Sequence, residues 1–192
     1  MSKILSKLVV AAIATMAMSA QAITIDFTGL AAGTAVTSQY AGVTFSLLGG
    51  VDAAGAATVS KWGGGGLTNT RWSGDYPTAR YLVATFDSTV TDITFNFDNA
   101  GYNGFNAWRL YDSSNAQIAS GAMSGYGGIT YDVSSFTGVK EIRWDNGRDS
   151  SNWWQKLNSV SYETEVPEPA SFLLMGLGLA GLAAAARRKA SK

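Results

Sequence analysis

Ile93-Thr94-Phe95-Asn96-Phe97-Asp98 places large apolar side chains at every second position, with small polar ones between them. A period of two puts Ile93, Phe95 and Phe97 on one face of an extended strand and Thr94, Asn96 and Asp98 on the other. Leu157-Asn158-Ser159-Val160-Ser161-Tyr162 does much the same further along, with Val160 and Tyr162 in step and Leu157 one position out. Working outward from these two stretches, short β-type runs alternate with turns rich in Gly, Ser and Asn. Strands are expected at Ile23 to Phe27, Val43 to Leu48, Ala57 to Ser60, Arg80 to Phe86, Val90 to Phe97, Ala107 to Tyr111, Gln117 to Ser120, Ile129 to Val133, Val139 to Trp144 and Leu157 to Thr164. Nothing between them carries a sustained helical period, so the crossover helices that a parallel sheet requires are missing. The expected class is all-β: an antiparallel β-sandwich, of jelly-roll type.

Both ends of the 192-residue chain read differently from this middle. Met1 to Ala22 has a basic start at Lys3 and Lys7, an apolar stretch from Leu8 to Met18, and Ala20-Gln21-Ala22 in an Ala-x-Ala arrangement. That order predicts a secretory signal peptide cut after Ala22. At the other end, Pro167-Glu168-Pro169 precedes an uncharged run from Ala170 to Ala186 and the cluster Arg187-Arg188-Lys189. As a helix the run is roughly 25 Å long, near the lower limit for crossing a hydrocarbon core. The cationic cluster should stay on the cytoplasmic side, leaving everything upstream of Pro167 outside. The chain therefore divides into a signal peptide (1–22), an exported body (23–165) and a C-terminal segment (166–192).

The tripeptide, the helix and the Arg-rich end, in that order, resemble a PEP-CTERM sorting domain, the tag of exported proteins in many Gram-negative, exopolysaccharide-producing bacteria. The resemblance covers about residues 166 to 189. It implies an exosortase as partner, acting near Pro167, Glu168 and Pro169, while Arg187, Arg188 and Lys189 form the cytoplasmic stop. It further implies an inner-membrane-anchored precursor and a product at the cell surface or outside the cell, associated with exopolysaccharide. Residues 23 to 46, from Ile23-Thr24-Ile25-Asp26-Phe27 to Val43-Thr44-Phe45-Ser46, are similar to the opening of exported jelly-roll domains that carry this tail. The closing strand of such domains often holds an Asp-Asn pair where this chain has Leu157-Asn158.

Composition narrows the chemistry. Of fourteen basic residues, Lys3, Lys7, Arg187, Arg188, Lys189 and Lys192 lie in the end segments, which leaves eight in the body. Of fourteen acidic residues, Glu168 alone lies outside it, which leaves thirteen and a body net charge of minus five. Such a body lacks the clustered Lys and Arg that binding to nucleic acid requires. Cysteine and histidine are both absent. That removes disulfides, Ser-His-Asp and Cys-His catalysis and the usual zinc sites. Carboxylate chemistry is what remains for an enzyme, and Asp26, Asp87, Asp98, Asp112 and Asp145 fall where strand ends or turns are expected, the usual place for short acids that bond the backbone. The expectation is no catalysis and no cofactor. A structural calcium on Asp26 or on the Asp98-Asn99 loop stays open.

Two look-alikes are not the motifs they resemble, and the glycines of the first suit close approach of another helix in the membrane. Gly176-x-Gly178-x-x-Gly181 has no preceding strand, and Asp145-Asn146-Gly147-Arg148-Asp149 lacks the order and the closing Glu of a calcium loop. The feature that points to a ligand is aromatic. All six tryptophans lie in the body. Trp108 and Trp144 sit inside strand-like runs and are expected in the core. Trp62 enters Gly63-Gly64-Gly65-Gly66, Trp72 lies near Asp75 and Tyr76, and Trp153-Trp154 follows Asn152. Rings stack on the C–H faces of sugars, so these four are the glycan-binding candidates. Two function classes stand beside each other, a structural or adhesive envelope protein and a carbohydrate-binding module, with a carboxylate-dependent glycoside-active enzyme behind them.

Overall fold

The computed structural model describes residues 22–50, 56–59, 65–68, 79–98, 106–145, 156–164 and 178. The signal peptide up to Gln21, the sorting tripeptide, the cationic cluster and, apart from Gly178, the expected helix Ala170 to Ala186 lie outside them. The described residues form eleven strands, every pairing antiparallel, all within one compact unit spanning Ala20–Glu165. They are β1 (Ala22–Asp26), β2 (Ala35–Val36), β3 (Val43–Gly50), β4 (Ala57–Val59), β5 (Leu67–Thr68), β6 (Ala79–Asp98), β7 (Asn106–Tyr111), β8 (Gln117–Met123), β9 (Gly128–Asp132), β10 (Val139–Asp145) and β11 (Lys156–Thr164).

The two strands expected at Arg80 to Phe86 and Val90 to Phe97 are one 20-residue strand, β6. It belongs to two layers in turn. Its first half pairs with β3 on one side and β10 on the other, from Tyr81 to Phe86. Its second half pairs with β11 and β9, from Val90 to Asp98. The first layer thus runs β3–β6–β10–β7–β8, and the second runs β9–β6–β11, with β1 and the small β2–β4–β5 ribbon along the far side of β11. The side-chain alternation changes phase on the way. Leu82, Ala84, Phe86 and Val90 face the core, and then so do Ile93, Phe95 and Phe97. The odd residue is taken up near Asp92, which has φ 50° beside a register shift against β11 between Ser161 and Glu163. An extra residue of this kind is a β-bulge, which bends the strand and re-aims its side chains.

Aromatic contacts close the layers on each other. Phe86 of the first packs on Tyr162 of the second with ring centroids 4.7 Å apart, and Trp144 of β10 meets Phe95 edge-on at 5.5 Å. Phe27, just beyond β1, touches Phe45 of β3 at 5.2 Å. As its strand setting suggests, Trp144 is fully buried in the core, while Trp108 is half-buried, packs against it and leans on Phe136. Trp108 lies directly across from Gly121 of β8, where a Cβ would come within 2.5 Å of its indole ring. The glycine there is a seat for the ring.

Two strands escaped the sequence reading. β2 and β5 have two residues each, too short to show any alternation. The glycine run before β5 has a packing reason at its described end. Gly65 (φ 84°) presses on the Thr28 backbone and Gly66 (φ 111°) on Lys156 and Asn158, where a Cβ would come within 2.5 Å and 2.9 Å of those neighbours.

Tyr162 Oη and Trp144 Nε1 are buried with no hydrogen-bond partner among the described residues. Burial pushes the Tyr162 hydroxyl up from its ordinary pKa, and the Asp87 carboxylate adds to the effect. An unsatisfied buried hydroxyl costs about 1–3 kcal/mol. Tyr162→Phe, which keeps the ring on Phe86, should therefore leave stability unchanged or raise it by about 1 kcal/mol in urea unfolding. A clear loss would show that the hydroxyl has a partner.

Candidate functional site

The outer surfaces of the two layers differ in chemistry. On the second, short polar side chains bond one another: Thr24 with Ser161 at 2.8 Å, Asn96 Nδ2 to Thr130 Oγ1 at 3.1 Å, and Asn158 Nδ2 to Asn96 Oδ1 at 2.9 Å. Lys156 is buried there with its ammonium 3.5 Å from Asp98.

The first layer carries rings and charges. Because Leu82, Ala84, Leu110, Ile142 and Trp144 turn inward, Tyr81, Val83, Thr85, Arg109, Tyr111, Glu141, Arg143 and Asp145 turn outward. Strand register arranges them in rows across β6, β10 and β7: Tyr81, Asp145 and Ala107; Val83, Arg143 and Arg109; Thr85, Glu141 and Tyr111. The middle row sets two arginines directly opposite each other, an arrangement that destabilises a sheet unless something offsets it. Each arginine has its own carboxylate and its own ring. Arg109 Nη1 donates to Asp145 Oδ2 at 3.1 Å, and its guanidinium lies 5.9 Å from the centre of the Tyr81 ring. Arg143 Nε donates to Glu141 Oε1, and its guanidinium lies over Tyr111 at 3.9 Å.

A turn completes the second group. Between β7 and β8, Asp112 Oδ1 accepts from Ser114 N at 2.8 Å, Ser114 Oγ at 2.6 Å and Ala116 N at 2.9 Å, and these bonds hold its carboxyl below the usual range. The turn puts Asn115 in a left-handed conformation (φ 62°), and Asn115 Oδ1 accepts from Arg143 Nη2 at 2.8 Å. Glu141 Oε2 also accepts from Thr85 Oγ1 at 3.2 Å. The Arg143 plane is therefore fixed on three sides, by Glu141, Asn115 and Tyr111.

Of the candidates read from the sequence, Trp62, Trp72, Trp153, Trp154 and Asn99 lie outside the described residues. Asp26 is exposed and serves its own turn, accepting from Thr28 N at 2.8 Å and Thr28 Oγ1 at 2.7 Å, which lowers its pKa. Asp98 faces Lys156. Among the described residues, no three His, Cys, Asp or Glu gather as a metal site would need. Glu141 and Asp145, four residues apart on one strand with Cα atoms about 13 Å apart, are each committed to an arginine, Glu141 to Arg143 and Asp145 to Arg109. The rows of the first layer were missed because they assemble from three separate segments. The legible trace was the outward period-two series Glu141, Arg143, Asp145 and Arg109, Tyr111.

At the C-terminal end, residues 165–189 match the family model of the PEP-CTERM protein-sorting motif. The chain carries a PEP-CTERM sorting tag. That tag implies export, a membrane-anchored precursor and processing by an exosortase. No curated protein matches the chain. Among solved structures, it is similar to a fucose-binding module from Streptococcus pneumoniae, with a TM-score of 0.30 and 11% identity over 46% of this chain and 68% of that one. It is also similar to a family 29 carbohydrate-binding module complexed with cellulohexaose, with a TM-score of 0.30 and 14% identity over 65% of this chain and 89% of that one.

Asp145 is almost fully buried and keeps contacts besides Arg109, so Arg109→Ala, which removes its cation, should cost about 1–3 kcal/mol. Arg109→Ala with Asp145→Ala should cost less than Arg109→Ala alone. Urea unfolding of both single variants and the double variant tests this; additive losses would mean that the two side chains do not act as a pair.

Proposed function

We propose that this PEP-CTERM-tagged protein is a non-enzymatic, glycan-adhesive component of the cell envelope or its exopolysaccharide matrix. Residues 1–22 act as the signal peptide, and residues 166–192 as the sorting segment. The body, 23–165, is the adhesive domain, a jelly-roll type of β-sandwich. Ala170 to Ala186 holds the precursor in the inner membrane of a Gram-negative cell with Arg187, Arg188 and Lys189 inside. The exosortase then acts at Pro167, Glu168 and Pro169.

One observation carries the adhesive reading. The centre of the first layer's outer face opposes Arg109 to Arg143 and offsets each with a carboxylate and a ring. A merely solvated sheet surface has no need of that arrangement, and small polar residues serve the other layer. Guanidinium and carboxylate groups held in place beside rings suit hydroxyl-rich ligands, with directional bonds at fixed positions and little ordering cost on binding. The tryptophans extend this reading. The connection carrying Trp72 ends at Ala79, the one carrying Trp153 and Trp154 begins after Asp145, and Asp145 pairs with Tyr81 in the outermost row. Both connections are thus anchored at one end of the face.

Two experiments test the two halves separately. For the tag, Glu168→Ala should leave export intact and block processing, so that intact-mass analysis of native-host membranes finds species retaining Ala170 to Lys192. Normal trimming of that variant would refute the exosortase step. For the body, Tyr81→Ala should weaken retention in native gels containing the host's own polysaccharide, with near-ultraviolet dichroism unchanged. A folded wild-type protein that the polysaccharide does not retard would end the adhesive reading.

A further inference from the structure

We infer that the outer face of the β3–β6–β10–β7–β8 layer takes a neutral polysaccharide strand, with Arg143 as its main donor to sugar hydroxyls. This rests on the glycan reading above and narrows it to one ligand class. The charges in the three central rows are Arg109, Arg143, Glu141 and Asp145, two of each sign, and each arginine is bonded to a carboxylate of the same face. An acidic glycan bonded to either arginine would bring a second negative charge beside Glu141 or Asp145, on a body of net charge minus five. A neutral sugar meets no such repulsion. Its hydroxyls both donate and accept, so a neighbouring pair can take a guanidinium N–H and give an O–H to a carboxylate in the adjacent row.

Arg143 is the best-prepared contact. Nε and Nη2 are committed to Glu141 and Asn115, and the guanidinium plane is held against Tyr111, whereas Nη1 has no partner among the described residues. Its side chain is 18% exposed and that of Glu141 21%, so the pair is reachable and yet partly screened from water. The functional groups run about 13 Å along β10 from Glu141 to Asp145, a length that suits several linked sugars.

The test uses the full chain in detergent micelles and isothermal calorimetry at low and high sodium chloride. The titrants are dextran, alginate and the native host's polysaccharide split by anion exchange into neutral and acidic fractions. The expected result is binding of the neutral fraction with a Kd that salt changes by less than about two-fold, since screening acts on charged partners. Arg143→Gln should weaken it about ten-fold or more, with near-ultraviolet dichroism retained. Arg143→Lys, which keeps the charge and loses the planar fork, should weaken it in the same direction and carries the test if Arg143→Gln does not fold. Binding of the acidic fraction alone, weakened by salt, would overturn the neutral-ligand inference and leave the adhesive reading standing. Neutral binding that both Arg143 variants leave intact would overturn the assignment to this face. Binding of neither fraction would overturn the adhesive reading, and this inference with it.

Discussion

Everything in this sandwich depends on one strand belonging to two layers. β6 gives its first half to β3 and β10 and its second half to β11 and β9, so the two hydrogen-bonded layers are parts of one backbone. That works because the chain inserts a single extra residue near Asp92. Without it, the inward set Leu82, Ala84, Phe86 and Val90 would continue in phase and turn Ile93, Phe95 and Phe97 to solvent. The bulge also fixes which aromatics meet. Phe86 precedes it and reaches Tyr162 of the second layer, while Phe95 follows it and reaches Trp144 of the first. A chain without cysteine has no disulfide between its layers, so those ring contacts and the shared strand hold them together.

The same strand separates two kinds of surface. Outward side chains of its second half join a ladder of small polar groups, Asn96 with Thr130 and Asn158. Those of its first half, Tyr81 and Thr85, border the arginines of β7 and β10. Arg109 opposite Arg143 is a local conflict, and natural sequences tend to keep such conflicts where they have a use. Its resolution through Asp145, Glu141, Tyr81 and Tyr111 leaves the face uncharged in sum and stiff in detail.

Alternating runs such as Ile93 to Asp98 and Leu157 to Tyr162 made the all-β class and most strands legible in the sequence, because burial on one side leaves a period of two. The continuity of β6 was not legible. Asp87-Ser88-Thr89 reads as a turn, and only tertiary pairing turns it into the middle of a strand. β2 and β5 were too short to register. For the ligand, Trp62, Trp72, Trp153 and Trp154 stand out in the linear chain because large rings lie outside the strand-like runs. The face itself is spread over Tyr81, Arg109 and Tyr111, and Glu141 to Asp145, and antiparallel register alone brings these together. Asp112 and Asp26 did behave as turn acids, whereas Asp145 and Asp98 became ion-pair partners, because the cations that meet them arrive from distant strands.

One register has a mechanical meaning. Ala22 pairs with Glu163, so both ends of the body leave the sheet at the same pole, beside β11. A cell that held this protein by its C-terminal end would pull on β11 along its length, between β1 on one side and β6 on the other. Force applied that way strains many ladder bonds together in shear, where a sideways pull would peel them one at a time. A load placed on the outer face of the first layer would reach that tether through β6, the strand that both layers share.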